Sequence, residues 1–130
     1  MTLPAVNPGG GVVPLDPGKL IDNPPFKKDI RLAETYIAGM MFVEGSDEIV
    51  RNMRKGDRLE LRREPQNHYD RNAIAVLDAD GIRIGYIPRK TNPIAAGLMD
   101  SGKRLYCTVS NADAFFGDLG VTIELMMEDL

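Results

Sequence analysis

Asn72-Ala73-Ile74-Ala75-Val76-Leu77-Asp78-Ala79-Asp80-Gly81-Ile82-Arg83-Ile84-Gly85-Tyr86-Ile87 reads as two strands folded back on each other. Both arms are rich in β-branched and apolar residues. Asp80-Gly81 between them is a type I′ hairpin signal, because glycine accepts the positive φ that such a turn demands. Strands on either side extend the pattern. Upstream, Arg58-Leu59-Glu60-Leu61-Arg62 alternates strictly, with Arg58, Glu60 and Arg62 on the solvent face. Thr35 to Val43 has the composition of a further strand. Downstream, Leu105, Cys107 and Val109 alternate inward on one strand, and Leu119, Val121, Ile123 and Leu125 on the last.

Two short helices interrupt the strands. Gly45-Ser46 offers an N-cap before Asp47 to Met53, with acids in the first turn, so a helix is expected near 47–54. Asn92-Pro93 reads as an N-cap followed by proline at the first helical position. That helix runs to Asp100, with Ile94 and Leu98 on one face, Ala95 and Met99 on the next, and Gly102 closing it. No βαβαβ rhythm and no repeat is present. The pattern predicts a mainly β fold with two short helices, arranged as a small closed or partly closed barrel of six strands.

Composition bounds the function. A chain of 130 residues with 43% hydrophobic content builds one core. One cysteine excludes an internal disulfide, and with a single histidine no zinc set assembles without carboxylates or a second chain. No metal or cofactor is expected. No run reaches the ~18 apolar residues of a membrane span. The opening Met1-Thr2-Leu3-Pro4 lacks the basic start and apolar core of a signal peptide, so a cytoplasmic location is expected. Residues 1–30 hold six of the nine prolines and Gly9-Gly10-Gly11, which predicts an extended arm, leaving 31–130 as the folded domain.

The net charge is −3, but Arg51 to Arg104 carries twelve bases against seven acids, while Leu105 to Leu130 carries five acids and no base. Either the two signs separate onto different faces or the surface is mixed. Separation would set Arg62, Arg63, Arg71 and Arg89 around Tyr69 and Tyr86, with Glu124, Glu128 and Asp129 elsewhere.

The chemistry concentrates in Arg62 to Asn72 and in Gly85-Tyr86-Ile87-Pro88-Arg89, which place Tyr69, Asp70, Tyr86 and Arg89 at strand ends. A tyrosine face stacks on a nucleobase, an arginine fork grips phosphate, and an ionised aspartate accepts from a hydroxyl but repels phosphate. Together they suit a sugar terminus with a free hydroxyl beside a phosphate. The alternative is structural: Asn67 and Asp70 bond backbone amides in a turn, Tyr69 packs in the core, and Arg89 is a surface base. Asp78-Ala79-Asp80-Gly81 lacks the later ligands of a calcium loop, His68 has no nucleophile beside it, and Cys107 sits at a core position. No GxxxxGK[ST] run and no nucleophile–base pair is visible, so an enzyme is not expected.

Arg63-Glu64-Pro65, Asn67, Tyr69-Asp70 and Asn72-Ala73-Ile74, followed by Gly85-Tyr86-Ile87-Pro88-Arg89, closely resemble the HIRAN domain, a module of certain DNA-remodelling helicases. The resemblance covers about residues 34–127. It implies a small six-stranded OB-like β-barrel that holds the 3′ end of single-stranded DNA in repair or processing. It further implies that Tyr69 stacks on the terminal base, Asp70 accepts from the 3′-hydroxyl, and Arg89 meets a phosphate. Tyr86 falls where well-studied members have histidine, and Phe115 or Phe116 supplies an aromatic from the last loop. The chain departs from the pattern in Gly39-Met40-Met41-Phe42: Met41 replaces a phosphate-gripping arginine, and Phe42, replacing tyrosine, can stack but not donate. That implies weaker, micromolar binding. The implied partners are a single-stranded DNA end and a DNA-processing enzyme on another chain, with no membrane. The alternative function is a protein- or peptide-interaction module with an accessory or targeting role.

Overall fold

The computed structural model describes residues 28–113 and 120–129. The chain divides into two units, Asp29–Glu128 and Met1–Lys28 with Asp129–Leu130. In the latter, Lys28 and Asp129 are described, and the Lys28 amide donates to the Asp129 carboxylate at 3.2 Å. The arm expected over 1–30 lies outside the described residues as far as residue 27, as do Phe115, Phe116 and Leu119.

Within Asp29–Glu128 the described strands are β1 (Ile30–Tyr36), β2 (Arg58–Arg63), β3 (Ile74–Leu77), β4 (Arg83–Tyr86), β5 (Leu105–Asp113) and β6 (Gly120–Met127). Helices α1 (Ser46–Asn52) and α2 (Asn92–Asp100) and a 3-10 turn at Met40–Phe42 complete the described elements. The six strands form one curled antiparallel sheet in the order β1-β6-β5-β2-β3-β4. Alternation delivers the core: Leu105, Cys107 and Val109 of β5 and Val121, Ile123 and Leu125 of β6 are all buried. In β3, Ile74, Ala75 and Val76 are buried on both faces, which is why that strand reads as continuously apolar.

The edge strands β1 and β4 are stitched at one point. Just beyond β1, the Ala38 amide donates to the Tyr86 carbonyl at 2.8 Å and the Tyr86 amide donates back at 2.9 Å. Gly85 permits the approach: a β-carbon there would stand 2.7 Å from the Ala38 carbonyl oxygen and closer still to the Ile37 side chain. The result is a half-barrel with its open seam pinned at one end.

Four local expectations need correction. The first strand ends at Tyr36, because Gly39 turns left-handed (φ 77) and Met40–Phe42 coil into the 3-10 turn. The apolar run there reflects the burial of Met40 rather than strand pairing. In α1, Gly45 takes the N-cap position and Ser46 already belongs to the helix, with no side-chain cap. The β3–β4 turn is not a two-residue I′ turn. The Gly81 amide donates to the Asp78 carbonyl, the Asp78 amide donates to the Ile82 carbonyl, and the Asp78 carboxylate accepts from the Asp80 and Ile82 amides. This is a three-residue connection closed by a left-handed glycine, Gly81 (φ 80). In α2 the N-cap is Thr91, which releases Asn92 for another use, and Ile94 points outward. No described helix is long and apolar enough to cross a membrane.

Candidate functional site

The loop between β2 and β3 is shaped by its own side chains. The Glu64 amide donates to the Ala73 carbonyl and the Asn67 amide to the Glu64 carbonyl. Asn67 Oδ1 accepts from the amides of Tyr69 (2.8 Å) and Asp70 (3.1 Å), and Asp70 Oδ1 accepts from the Asn72 amide (2.9 Å). The turn-forming role of Asn67 and Asp70 is therefore real. Its effect is to push Tyr69 outward, leaving that residue 87% exposed.

The other oxygen of Asp70 faces a different set of groups. Oδ2 accepts from Asn92 Nδ2 at 2.8 Å and lies 3.6 Å from Arg89 Nε. Asn92 is only 2% exposed, so its amide is fixed. Arg89 in turn donates through Nη2 to the Tyr69 carbonyl at 2.8 Å. The Asn92 bond, then the Asn72 amide, outweigh desolvation and hold the Asp70 carboxyl below its ordinary value, with Arg89 and Arg63 adding charge attraction.

Tyr86 occupies the centre of a second chain of bonds. Its hydroxyl donates to Glu64 Oε1 at 2.9 Å and accepts from Arg83 Nη1 at 2.9 Å, and the Arg83 guanidinium lies 5.3 Å from the ring centroid. Desolvation pushes the Glu64 carboxyl up, but donors from Asn67, Tyr86 and Arg62 together bring it below its ordinary value.

These groups converge. Tyr69, Asp70, Arg83, Tyr86, Arg89 and Asn92 line one open cleft of about 500 Å³, within the ~300–1,000 Å³ of small-ligand sites. Of the residues expected from sequence, Tyr69, Asp70, Tyr86 and Arg89 meet in it. Phe42, 85% exposed on the 3-10 turn, lies outside the lining, and Phe115 lies outside the described residues.

The expected ring of bases is different. Arg63 is taken by the Asp100 carboxylate (3.0 and 3.1 Å) and the Ala73 carbonyl (3.1 Å), Arg62 pairs with Glu64 at 3.3 Å, and Arg71 is exposed beyond the lining. The acids of β6 and its end are not a bare acidic face, since Glu124 pairs with Arg31 and Glu128 with Arg58, each at 3.0 Å. Arg83 and Asn92 line the cleft although the sequence marks neither as a site residue, and marks Asn92 only as a helix cap. Residues three apart in a regular strand face opposite sides, so alternation hides Arg83 from Tyr86. The β3–β4 register slips, with Val76 opposite Gly85 but Leu77 opposite Arg83. The bulge brings Arg83 round to the tyrosine. Among the described residues no group of three or more histidine, cysteine, aspartate or glutamate side chains is placed to hold a metal.

The HIRAN domain family model matches residues 30–126, most of the chain. The chain belongs to the HIRAN domain family. A HIRAN assignment agrees with the motif that runs from Arg63 to Ile74. A crystal structure of a Lactobacillus plantarum protein is 31% identical, with a TM-score of 0.71 over 79% of this chain and 99% of that one. The crystallised HIRAN domain of human HLTF has a TM-score of 0.60 at 18% identity, covering 76% of this chain and 78% of that one. The HLTF HIRAN domain in its DNA-bound conformation has a TM-score of 0.52 at 22% identity, over 82% and 80% of the two chains. These two likenesses speak for the fold, an OB-like half-barrel. A Fanconi-associated nuclease 1 homolog of Arabidopsis thaliana is 34% identical over 67 residues, which are 52% of this chain but only 7% of that protein.

Proposed function

We propose that this HIRAN domain binds DNA and seats the end of a single strand in the Tyr69–Arg89 cleft. The observation that carries the reading is the meeting of an exposed tyrosine ring, an ionised carboxylate and guanidinium groups in one open cleft. A terminal base stacks on Tyr69. The 3′-hydroxyl donates to Asp70, whose carboxylate has about four acceptor positions and spends only part of them on Asn72 and Asn92. Arg89 faces the neighbouring phosphate. The DNA-bound relative supports the class of ligand, and the match to a short stretch of a nuclease homolog supports a targeting role beside an enzyme in repair or processing.

Discrimination follows from charge. A carboxylate beside a hydroxyl gains one charge-assisted hydrogen bond, whereas beside a 3′-phosphate it meets like charge and loses the donor. Fluorescence anisotropy on short single strands ending in 3′-hydroxyl, 3′-phosphate or a blunt duplex tests this at one stated low salt concentration. Hydroxyl ends should bind best. Asp70→Ala should weaken hydroxyl-ended strands and narrow the preference, and Tyr69→Ala should weaken both ends by ~1–3 kcal/mol. Equal affinity for both ends would remove the end-reading role, and failure to bind any strand would favour a peptide ligand.

A further inference from the structure

We infer that Arg83 is a phosphate-binding residue of the cleft, held for a phosphodiester of the bound strand by the hydroxyl and ring of Tyr86. The inference rests on the DNA-end reading above and adds a residue to it from β4. Arg89 is partly spent, on the Tyr69 carbonyl and beside the Asp70 carboxylate. Arg31, Arg58, Arg62 and Arg63 each face a carboxylate within 3.3 Å. Arg83 lines the same cleft and has no carboxylate partner among the described residues. Its one described hydrogen bond runs from Nη1 to the Tyr86 hydroxyl, which leaves Nε and Nη2 as donors in a fixed fork.

The positioning is built rather than incidental. The Tyr86 hydroxyl can accept from Arg83 because its own proton goes to Glu64 Oε1, which Asn67 Nδ2 also binds at 3.1 Å. The β4 bulge turns Arg83 to that side of the strand. A guanidinium with no carboxylate in direct contact among the described residues, oriented by the neutral Tyr86 hydroxyl, suits an anion that arrives from outside. The planar fork matches the two non-bridging oxygens of a phosphate diester.

The test is strand binding by Arg83→Gln over a range of salt. Arg83 is exposed, so an unchanged melting temperature should accompany a ten- to hundredfold loss of affinity, about the worth of charge-assisted hydrogen bonds. The slope of log K against log salt should shrink by ~0.7, the value for one single-strand phosphate. The preference for 3′-hydroxyl over 3′-phosphate should survive, since Asp70 is untouched. Arg83→Lys should restore the slope but not all the affinity. Tyr86→Phe should keep the slope and cost up to about tenfold through lost positioning. A strand with a neutral methylphosphonate at the linkage nearest its end should bind the native protein more weakly than the ordinary strand binds Arg83→Gln, because Arg89 faces that phosphate too, and should lose little more on that variant. Additive losses would overturn the pairing of Arg83 with that phosphate. An Arg83→Gln protein with native affinity and slope would overturn the inference while leaving end binding intact. A free 5′-mononucleotide bound as tightly as the strand would overturn the assignment to a phosphodiester. Absence of strand binding by the native protein would overturn both readings.

Discussion

At the scale of single residues, the state of Asp70 depends on a buried amide from a different element. Asn92 sits at the first position of α2, and its Nδ2 reaches Asp70 Oδ2. Asn92→Ala should cost ~1–3 kcal/mol, because it removes a buried donor and leaves the carboxylate short of a partner. It should also raise the Asp70 pKa towards the ordinary carboxyl range, as read by NMR titration. The sign for the native protein follows from the depressed folded value. Asp70 contributes stability above the unfolded pKa of ~3.9, and that contribution disappears as pH falls through the folded value. Denaturation midpoints should therefore be insensitive to Asp70 from about pH 5 to 8 and fall only in stronger acid. Cys107 is the opposite case: burial, with Glu60 nearby, pushes its thiol up to about 12. Native protein should resist thiol-specific alkylation measured by mass spectrometry, and denaturant should release the reactivity.

At the scale of elements, the decisive features are departures from regularity. Period-two alternation identified β2, β5 and β6, because each has one buried face against the core. It could not identify the β4 bulge, since a one-residue slip leaves no mark in Arg83-Ile84-Gly85-Tyr86. The apolar run Met40 to Val43 misleads in the same way: one buried methionine in a 3-10 turn has the composition of a strand. Gly85 is the element-scale residue with the clearest consequence. Gly85→Ala should force Ile37 and the Ala38 backbone apart, costing ~1–3 kcal/mol as overpacking does, with urea denaturation as the measurement. It should also weaken strand binding, because Ala38 and Tyr86 both line the cleft. Unchanged stability would show that the seam can open without cost.

At the scale of the whole molecule, ion pairs across the sheet tie bases to acids among the described residues. Arg31 on β1 meets Glu124 on β6, and Arg58 on β2 meets Glu128 beyond β6. These exposed pairs are worth little individually, but they give Glu124 and Glu128 basic partners. The arm remains a prediction from composition, since residues 1–27 lack the periodic apolar pattern of a core element. Removing residues 1–28 should leave the melting temperature within a few degrees in scanning calorimetry. A collapse on truncation would show that the N-terminal residues are integral to the fold.

The sequence by itself determined the strand content, the inward residues of β5 and β6, and the loop that bears Tyr69 and Asp70. Those properties are local: alternation records which face is buried, and Asn67 and Asp70 shape their own turn through bonds a few residues long. Tertiary structure decided which bases face the cleft. Arg63, inside the motif, is drawn to Asp100, whereas Arg83, outside it, is turned in by a bulge and held by Tyr86. Tertiary structure also placed Asn92 behind Asp70, twenty-two residues along the chain. Each is a contact between elements distant in sequence, set by sheet register and helix placement, and neither quantity is written in the periodicity of a single segment.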